Sequence, residues 1–195
     1  MKKFWLVAVV VVAVLVVLFF MRPRINLSKN EYLKEPQITN MPRQNMLVAE
    51  VKGAPGTAVK DGYSALFKTF FKLKVKMADC PRGRYPKPFN TPMEEWVSIL
   101  AIPIPDSINT LPQQVKNSKA DVRIEYWEYG DVAEILHIGP YGKETPTIEK
   151  LYKFIEDNGY KIAGPHEEVY LKGPESIFTK PDKYMTIIRY QVKKK

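Results

Sequence analysis

Hydrophobic and polar positions divide the chain into three regimes. From Phe4 to Met21, eighteen apolar residues run without a charge, a glycine or a proline. From 22 to 46 no period is sustained, and Pro23, Pro36 and Pro42 stand among Asn, Ser, Lys and Glu, which is the composition of a linker. From Leu47 onward the apolar positions recur with the periods of strands and helices. Tyr63, Leu66, Phe67 and Phe70 fall at i, i+3, i+4 and i+7, as do Ile148, Leu151, Tyr152 and Ile155, so each set occupies one face of a helix. Asp157-Asn158-Gly159 supplies a C-terminal stop for the second. Val122, Ile124 and Tyr126 alternate with Arg123, Glu125 and Trp127, the period of a half-buried strand. Tyr129-Gly130-Asp131 then predicts a tight hairpin turn into 132–138. The stretch 81–92, with prolines at 81, 86, 88 and 92, predicts a loop or a proline-studded edge strand.

These elements repeat. Val48-Ala49-Glu50-Val51 followed by Gly53-Ala54-Pro55-Gly56 is echoed by Val132-Ala133-Glu134-Ile135 followed by Gly139-Pro140-Tyr141-Gly142. A helical pattern follows each, and later the apolar run from Trp96 to Ile104 is matched by the run from Tyr184 to Val192. Three echoes in one order at similar spacing predict an α+β fold. It is a duplicated β-α-β-β unit with pseudo-twofold symmetry, an antiparallel sheet and two main helices. The half-repeats cover about 47–104 and 121–192 within a domain of residues 47–195, and 105–120 connect them.

At 1.5 Å per residue the first regime makes a helix of about 27 Å, roughly the hydrocarbon thickness of a bilayer. Lys2, Lys3, Arg22 and Arg24 flank it, and Trp5 stands at an interfacial position. A cleaved signal peptide is the competing reading. The run exceeds the usual length of such a peptide's apolar core, however, and no small-x-small site follows it. Residues 1–21 are therefore read as an N-terminal signal anchor, a single transmembrane helix, with 22–46 as juxtamembrane linker and the membrane as partner through residues 4–21. Positive charges on both sides leave the orientation open. The commoner arrangement places the short tail inside and the domain outside the cytoplasm.

The 195 residues carry a net charge of +9, yet 45% are hydrophobic and 12% aromatic, which excludes a wholly disordered basic chain. The charge is uneven. Residues 1–46 hold 7 Lys/Arg against 2 Asp/Glu, residues 47–120 hold 11 against 6, and residues 121–195 hold 12 against 13. Within the middle segment Lys68, Lys72, Lys74, Lys76, Arg82, Arg84 and Lys87 form a basic cluster, read as a solvated face or as a contact for anionic lipid headgroups. Nucleic acid is excluded as a partner because no groove-reading or base-stacking motif accompanies the charge. His137, His166 and Cys80 have no ligand-like spacing, so no metal and no cofactor is expected; a haem ligated by His137 or His166 is conceivable, but nothing requires it. His137, beside a Gly-Pro turn, is read as orienting that turn.

The run Val132 to Tyr141 with its His137-Ile138-Gly139-Pro140-Tyr141 turn, the helix ending Asn158-Gly159-Tyr160, the segment Gly164-Pro165-His166-Glu167-Glu168-Val169-Tyr170, and Tyr184 to Ile187 together resemble the GyrI-like domain. This family includes effector-binding domains of AraC-type and MerR-type regulators. The likeness is clear over 121–192 and reaches 47–104 through the repeat. It implies a ligand cleft between two halves that takes lipophilic, often cationic, small molecules. Some members resembling it hydrolyse strained, cyclopropane-bearing compounds. Two departures bear on function. The N-terminus is taken up by the anchor, which leaves no room for a helix-turn-helix module. The final strand reads Thr186-Ile187-Ile188 where many members have Thr-Glu-Ile, so an acidic pocket residue is expected to be missing.

Glu168 matches the family's Glu-x-Tyr and shares a strand face with Tyr170. A carboxylate among aromatic rings could bind a cation or act as a general base, and a solvated strand-end Glu is the plainer alternative. Trp96, Tyr170 and Tyr190 are expected to line the cleft with it, or else to pack the core. The leading expectation is a membrane-anchored domain that binds a lipophilic or amphipathic small molecule. A hydrolase with Glu168 as base and Tyr170 assisting, and a membrane-tethered protein-interaction receptor, are the alternatives. The last is weakened by the absence of a long acidic tail after Val192-Lys193-Lys194-Lys195.

Overall fold

A computed structural model describes residues 27–88, 90–112, 120–174 and 179–195. The anchor expected over residues 4–21 lies outside them. No helix among the described residues is long and apolar enough to cross a membrane. Among the described residues the fold is α+β, with nine antiparallel strands and two main helices. In chain order the strands are β1 (Gln37–Met41), β2 (Gln44–Lys52), β3 (Arg82–Tyr85), β4 (Val97–Pro103), β5 (Val122–Trp127), β6 (Gly130–Ile138), β7 (Tyr160–Ile162), β8 (His166–Lys172) and β9 (Met185–Lys194). The helices are α1 (Pro55–Lys72) and α2 (Thr145–Asp157). A 3-10 segment, Leu27–Lys34, precedes β1 and sinks Leu33 into the core.

The strand order β1-β6-β9-β8-β3-β4-β2-β5 reads alike from either side of the β3/β8 pair, and β7 adds onto β9. Two expectations differ from this arrangement. Gly130 takes the left-handed conformation of a turn (φ +65°), but the strands it joins do not pair: β5 pairs with β2, and β6 pairs with β1. Residues 37–41, within the stretch read as linker, thus form a strand across from the far half. The turn chemistry is local, whereas the pairing partner is chosen by long-range burial. The proline-rich stretch also contains not an edge strand but a central one. Pro81 and Pro86 bracket β3 from outside, and its own residues pair with both β4 and β8.

This exchange curls the sheet. Six strand spacings separate β5 from β6, and likewise β1 from β2, in the strand order. A flat sheet would hold each pair about 29 Å apart at about 4.8 Å per spacing. Residues 128–129 and 42–43 alone bridge them, and three Cα steps reach at most about 11 Å. The ends of the sheet therefore fold towards each other, leaving one face concave and the opposite face convex.

Both helices lie on the convex face. Leu66 and Phe70 of α1 pack with Leu47, Leu100 and Ile102; Leu151 and Ile155 of α2 pack with Ile135, Ile188 and Tyr190. Gly62 brings α1 close: a Cβ there would stand 2.6 Å from Leu100 Cδ1. α2 ends at Asn158 and Gly159 (φ +75°), as its sequence predicts. α1 lies against β2 and β4, and α2 against β6 and β7. The β3/β8 strip between them is left as the floor of a groove. Helices centred over β2/β4 and β6/β9 stand roughly 19 Å apart on a flat sheet. Subtracting a helix diameter of about 10–12 Å leaves about 7–9 Å, and convexity widens this.

The concave face holds a buried charge network. Glu167 on β8 accepts from Arg84 Nε of β3 (2.8 Å), Arg189 Nη1 of β9 (3.2 Å) and the Tyr129 hydroxyl (3.0 Å). Arg189 also holds buried Glu134 on β6 at 2.7 Å. Arg82, itself buried, donates to Tyr129, Gln44 and Asp79. Arg84 lies over the Trp127 ring at 3.8 Å. Arg82 and Arg84 thus leave the expected basic surface, and Lys68, Lys72, Lys74, Lys76 and Lys87 remain exposed. Removing one partner of such a network strands buried charges of the other sign. Glu167→Gln is expected to cost about 3–5 kcal/mol, read as a lowered denaturant midpoint; a loss under 1 kcal/mol would contradict the network's role.

Candidate functional site

The groove floor is set by strand register. Gly83 pairs with Glu168 and Tyr85 with His166 across β3/β8, and Glu168 pairs with Ile188 and Tyr170 with Thr186 across β8/β9. Directly paired residues share a face, so Tyr85, His166, Glu168, Tyr170 and Tyr190 all stand on the helix side. Helix α1 adds Tyr63, whose ring meets Tyr170 edge-on at 6.2 Å. The turn before α2 adds Tyr141, 5.9 Å from Tyr170 and 5.2 Å from Tyr184. Trp96, at the entrance to β4, lies 6.2 Å from Tyr85 and donates its indole N–H to Thr91 O at 2.7 Å.

Of the four residues expected at the site, Glu168 and Tyr170 stand side by side on the helix face of β8, Trp96 meets Tyr85 beside them, and Tyr190 is packed in the core under α2 at 3% exposure. Glu168 keeps 15% of its side chain exposed, which excludes both a fully solvated strand-end carboxylate and a sealed one. Its Oε1 is 2.9 Å from His166 Nε2, and His166 Nδ1 is 2.6 Å from the Tyr190 hydroxyl, itself 2.9 Å from that of Tyr152. His166, isolated in sequence, is thus the hub of a chain from α2 to Glu168. The spacing His166-x-Glu168-x-Tyr170 was the signal available for it.

Tyr85 and Tyr170 join through their hydroxyls. Gly83 makes room for this: a Cβ there would lie 3.0 Å from one hydroxyl and 3.3 Å from the other. Tyr63 and Tyr85 were missed because one sits in a helical core stripe and the other beside prolines. His137 does orient its turn, with Nδ1 2.9 Å from Thr147 Oγ1 of α2 and its ring against Gly139. Ile187, where the resemblance implies a Glu in many members, packs on the concave face with Leu33, Cys80 and Val169. Its side chain thus faces away from the groove. Among the described residues no group of His, Cys, Asp and Glu could hold a metal ion.

Burial raises the phenol pKa values of Tyr63, Tyr85, Tyr170 and Tyr190 above the ordinary value near 10, and the negative charge of Glu168 adds to the shift in each. The four phenols stay protonated in the fold, while the unfolded chain ionises near pH 10. Above that pH the unfolded state binds fewer protons, so stability complete below pH 10 falls as pH rises towards the folded values. The slope is about 1.4 kcal/mol per pH unit for each phenol. Denaturant midpoints between pH 9 and 11, followed with phenolate absorbance, are expected to drop before these four ionise. Native-state ionisation near pH 10 with no loss of stability would contradict their burial.

Solved structures share the fold, three of them as follows. A hydrolase from Listeria innocua is 19% identical with a TM-score of 0.67, covering 82% of this chain and 92% of that one. An uncharacterized conserved protein from Listeria innocua is 20% identical at 0.65, covering 82% and 93%. The EcmrR C-terminal domain is 16% identical at 0.60, covering 83% and 98%. At these identities the likeness concerns the fold alone. No curated protein sequence matches the chain. The sequence pattern of the GyrI-like small molecule binding domain matches residues 34–193, and the chain belongs to that family.

Proposed function

We propose that the groove between α1 and α2 binds an amphipathic small molecule through a positively charged group held at Glu168, with its apolar part against Tyr63, Tyr85, Tyr170 and Trp96. The observation that carries this reading is a half-buried carboxylate within aromatic walls. The partner of Glu168 among the described residues is His166, and no Lys or Arg is paired with it. Ring faces and a carboxylate both attract a cation, and partial desolvation strengthens both attractions. The phenols, held protonated, offer hydrogen-bond donors without adding charge.

The probe is a trimethylammonium bearing a phenylbutyl chain, compared with its neutral tert-butyl isostere by calorimetry on the full-length chain. The cation is expected to bind at least about 10-fold tighter, and Glu168→Gln to remove that preference while leaving the neutral compound unchanged. Equal affinity of cation and isostere for the unmodified chain would overturn the assignment of Glu168.

The anchor of residues 4–21 adds a location to this reading: the binding domain is tethered at a bilayer, where amphiphiles concentrate. Its support is the length of the apolar run and its flanking charges. The full-length chain is expected to stay in the membrane fraction after alkaline carbonate washing. Release into the supernatant would contradict the tether.

A further inference from the structure

The Tyr63 hydroxyl is buried and has no hydrogen-bond partner among the described residues. Buried polar atoms are nearly always paired, so an orphan hydroxyl in a groove calls for an explanation. Slack packing does not supply one. Gly62 seats α1 tightly on Leu100 and Val51, and the Tyr63 ring is held between Phe67 at 6.1 Å and Tyr170 at 6.2 Å. Neighbouring phenols are engaged: Tyr85 with Tyr170, and Tyr190 with Tyr152 and His166. The Tyr63 ring meets Tyr170 edge-on, and Tyr170 shares its strand face with Glu168, so the phenol stands beside the proposed cation site.

We propose that Tyr63 is a specificity-determining residue whose hydroxyl donates to an acceptor oxygen of the ligand, so that the ligand class is an amphipathic cation carrying a carbonyl, ether or hydroxyl oxygen. This rests on the groove reading above and narrows it. A purely hydrocarbon cation satisfies Glu168 and the rings but leaves Tyr63 unpaired. A site built around an unpaired polar group discriminates against the analogue that lacks its partner.

The test uses two probes on the full-length chain: the phenylbutyl trimethylammonium and its benzylic ketone, which differ by one oxygen. The ketone is expected to bind about 10-fold tighter to the unmodified chain. Tyr63→Phe should bring the two within 2-fold of each other, and Glu168→Gln should weaken both, each as an approximate factor. Because Tyr63→Phe removes an unsatisfied group, the unliganded variant should melt higher by about 2–6 °C.

Equal binding of ketone and hydrocarbon to the unmodified chain overturns the proposal while leaving the groove reading intact. A lower melting temperature for Tyr63→Phe overturns it too, because the hydroxyl would then be satisfied without ligand. Binding of neither probe to the folded chain removes the groove reading and this proposal together.

Discussion

The side-by-side placement of β3 and β8 rests on Glu167. Its carboxylate takes Arg84 from β3, Arg189 from β9 and the Tyr129 hydroxyl from the β5–β6 connection. One side chain thus ties together the two halves of the sheet and the connection that closes it. A buried ionic cluster adds little net stability over a well-packed apolar core, but its geometry is unforgiving, since every charge must meet its partner. That geometry fixes register. With Arg84 opposite Glu167, Gly83 falls opposite Glu168 and Tyr85 opposite His166 on the other face. A one-residue slip would turn Glu168 away from the groove and put Glu167 into it.

The two faces of the seam have divided work. The concave face is closed by Trp127, Tyr129 and the arginines, and its charges are mutually paired. The convex face carries the helices, which stop short of the seam, so its carboxylate meets, among the described residues, one imidazole partner and a ring of phenols. Closure on one side and opening on the other have a common cause. The short connections at 42–43 and 128–129 draw the ends of the sheet together, and the same curvature spreads α1 and α2 apart. The groove is therefore a consequence of strand exchange between halves.

Much of this was legible in the sequence. Apolar stripes placed both helices, Gly159 ended the second, and the Glu168-x-Tyr170 alternation put two site residues on one face. What was hidden depended on distance along the chain. Gly130 announces a turn but not that β5 will cross to β2. Prolines 81 and 86 suggest an edge, yet they bracket a strand at the centre. Arg82 and Arg84 look like surface charge beside the lysines, because, nearby Asp79 apart, their partners Gln44, Tyr129 and Glu167 lie tens of residues away. Tyr63 reads as core, since periodicity reports which helix face is inward but not that the face ends over a groove.

In the proposed complex the ligand sits on the convex face, over the β3/β8 seam, with its charge at Glu168. A crystal structure of the full-length chain with the phenylbutyl trimethylammonium tests it most directly. The ammonium is expected within about 6 Å of the surrounding ring centres and beside the Glu168 carboxylate, with the phenyl group between Tyr63, Tyr85 and Tyr170. Density for the probe on the concave face, or outside the groove with the Glu168 surroundings unchanged, would contradict it.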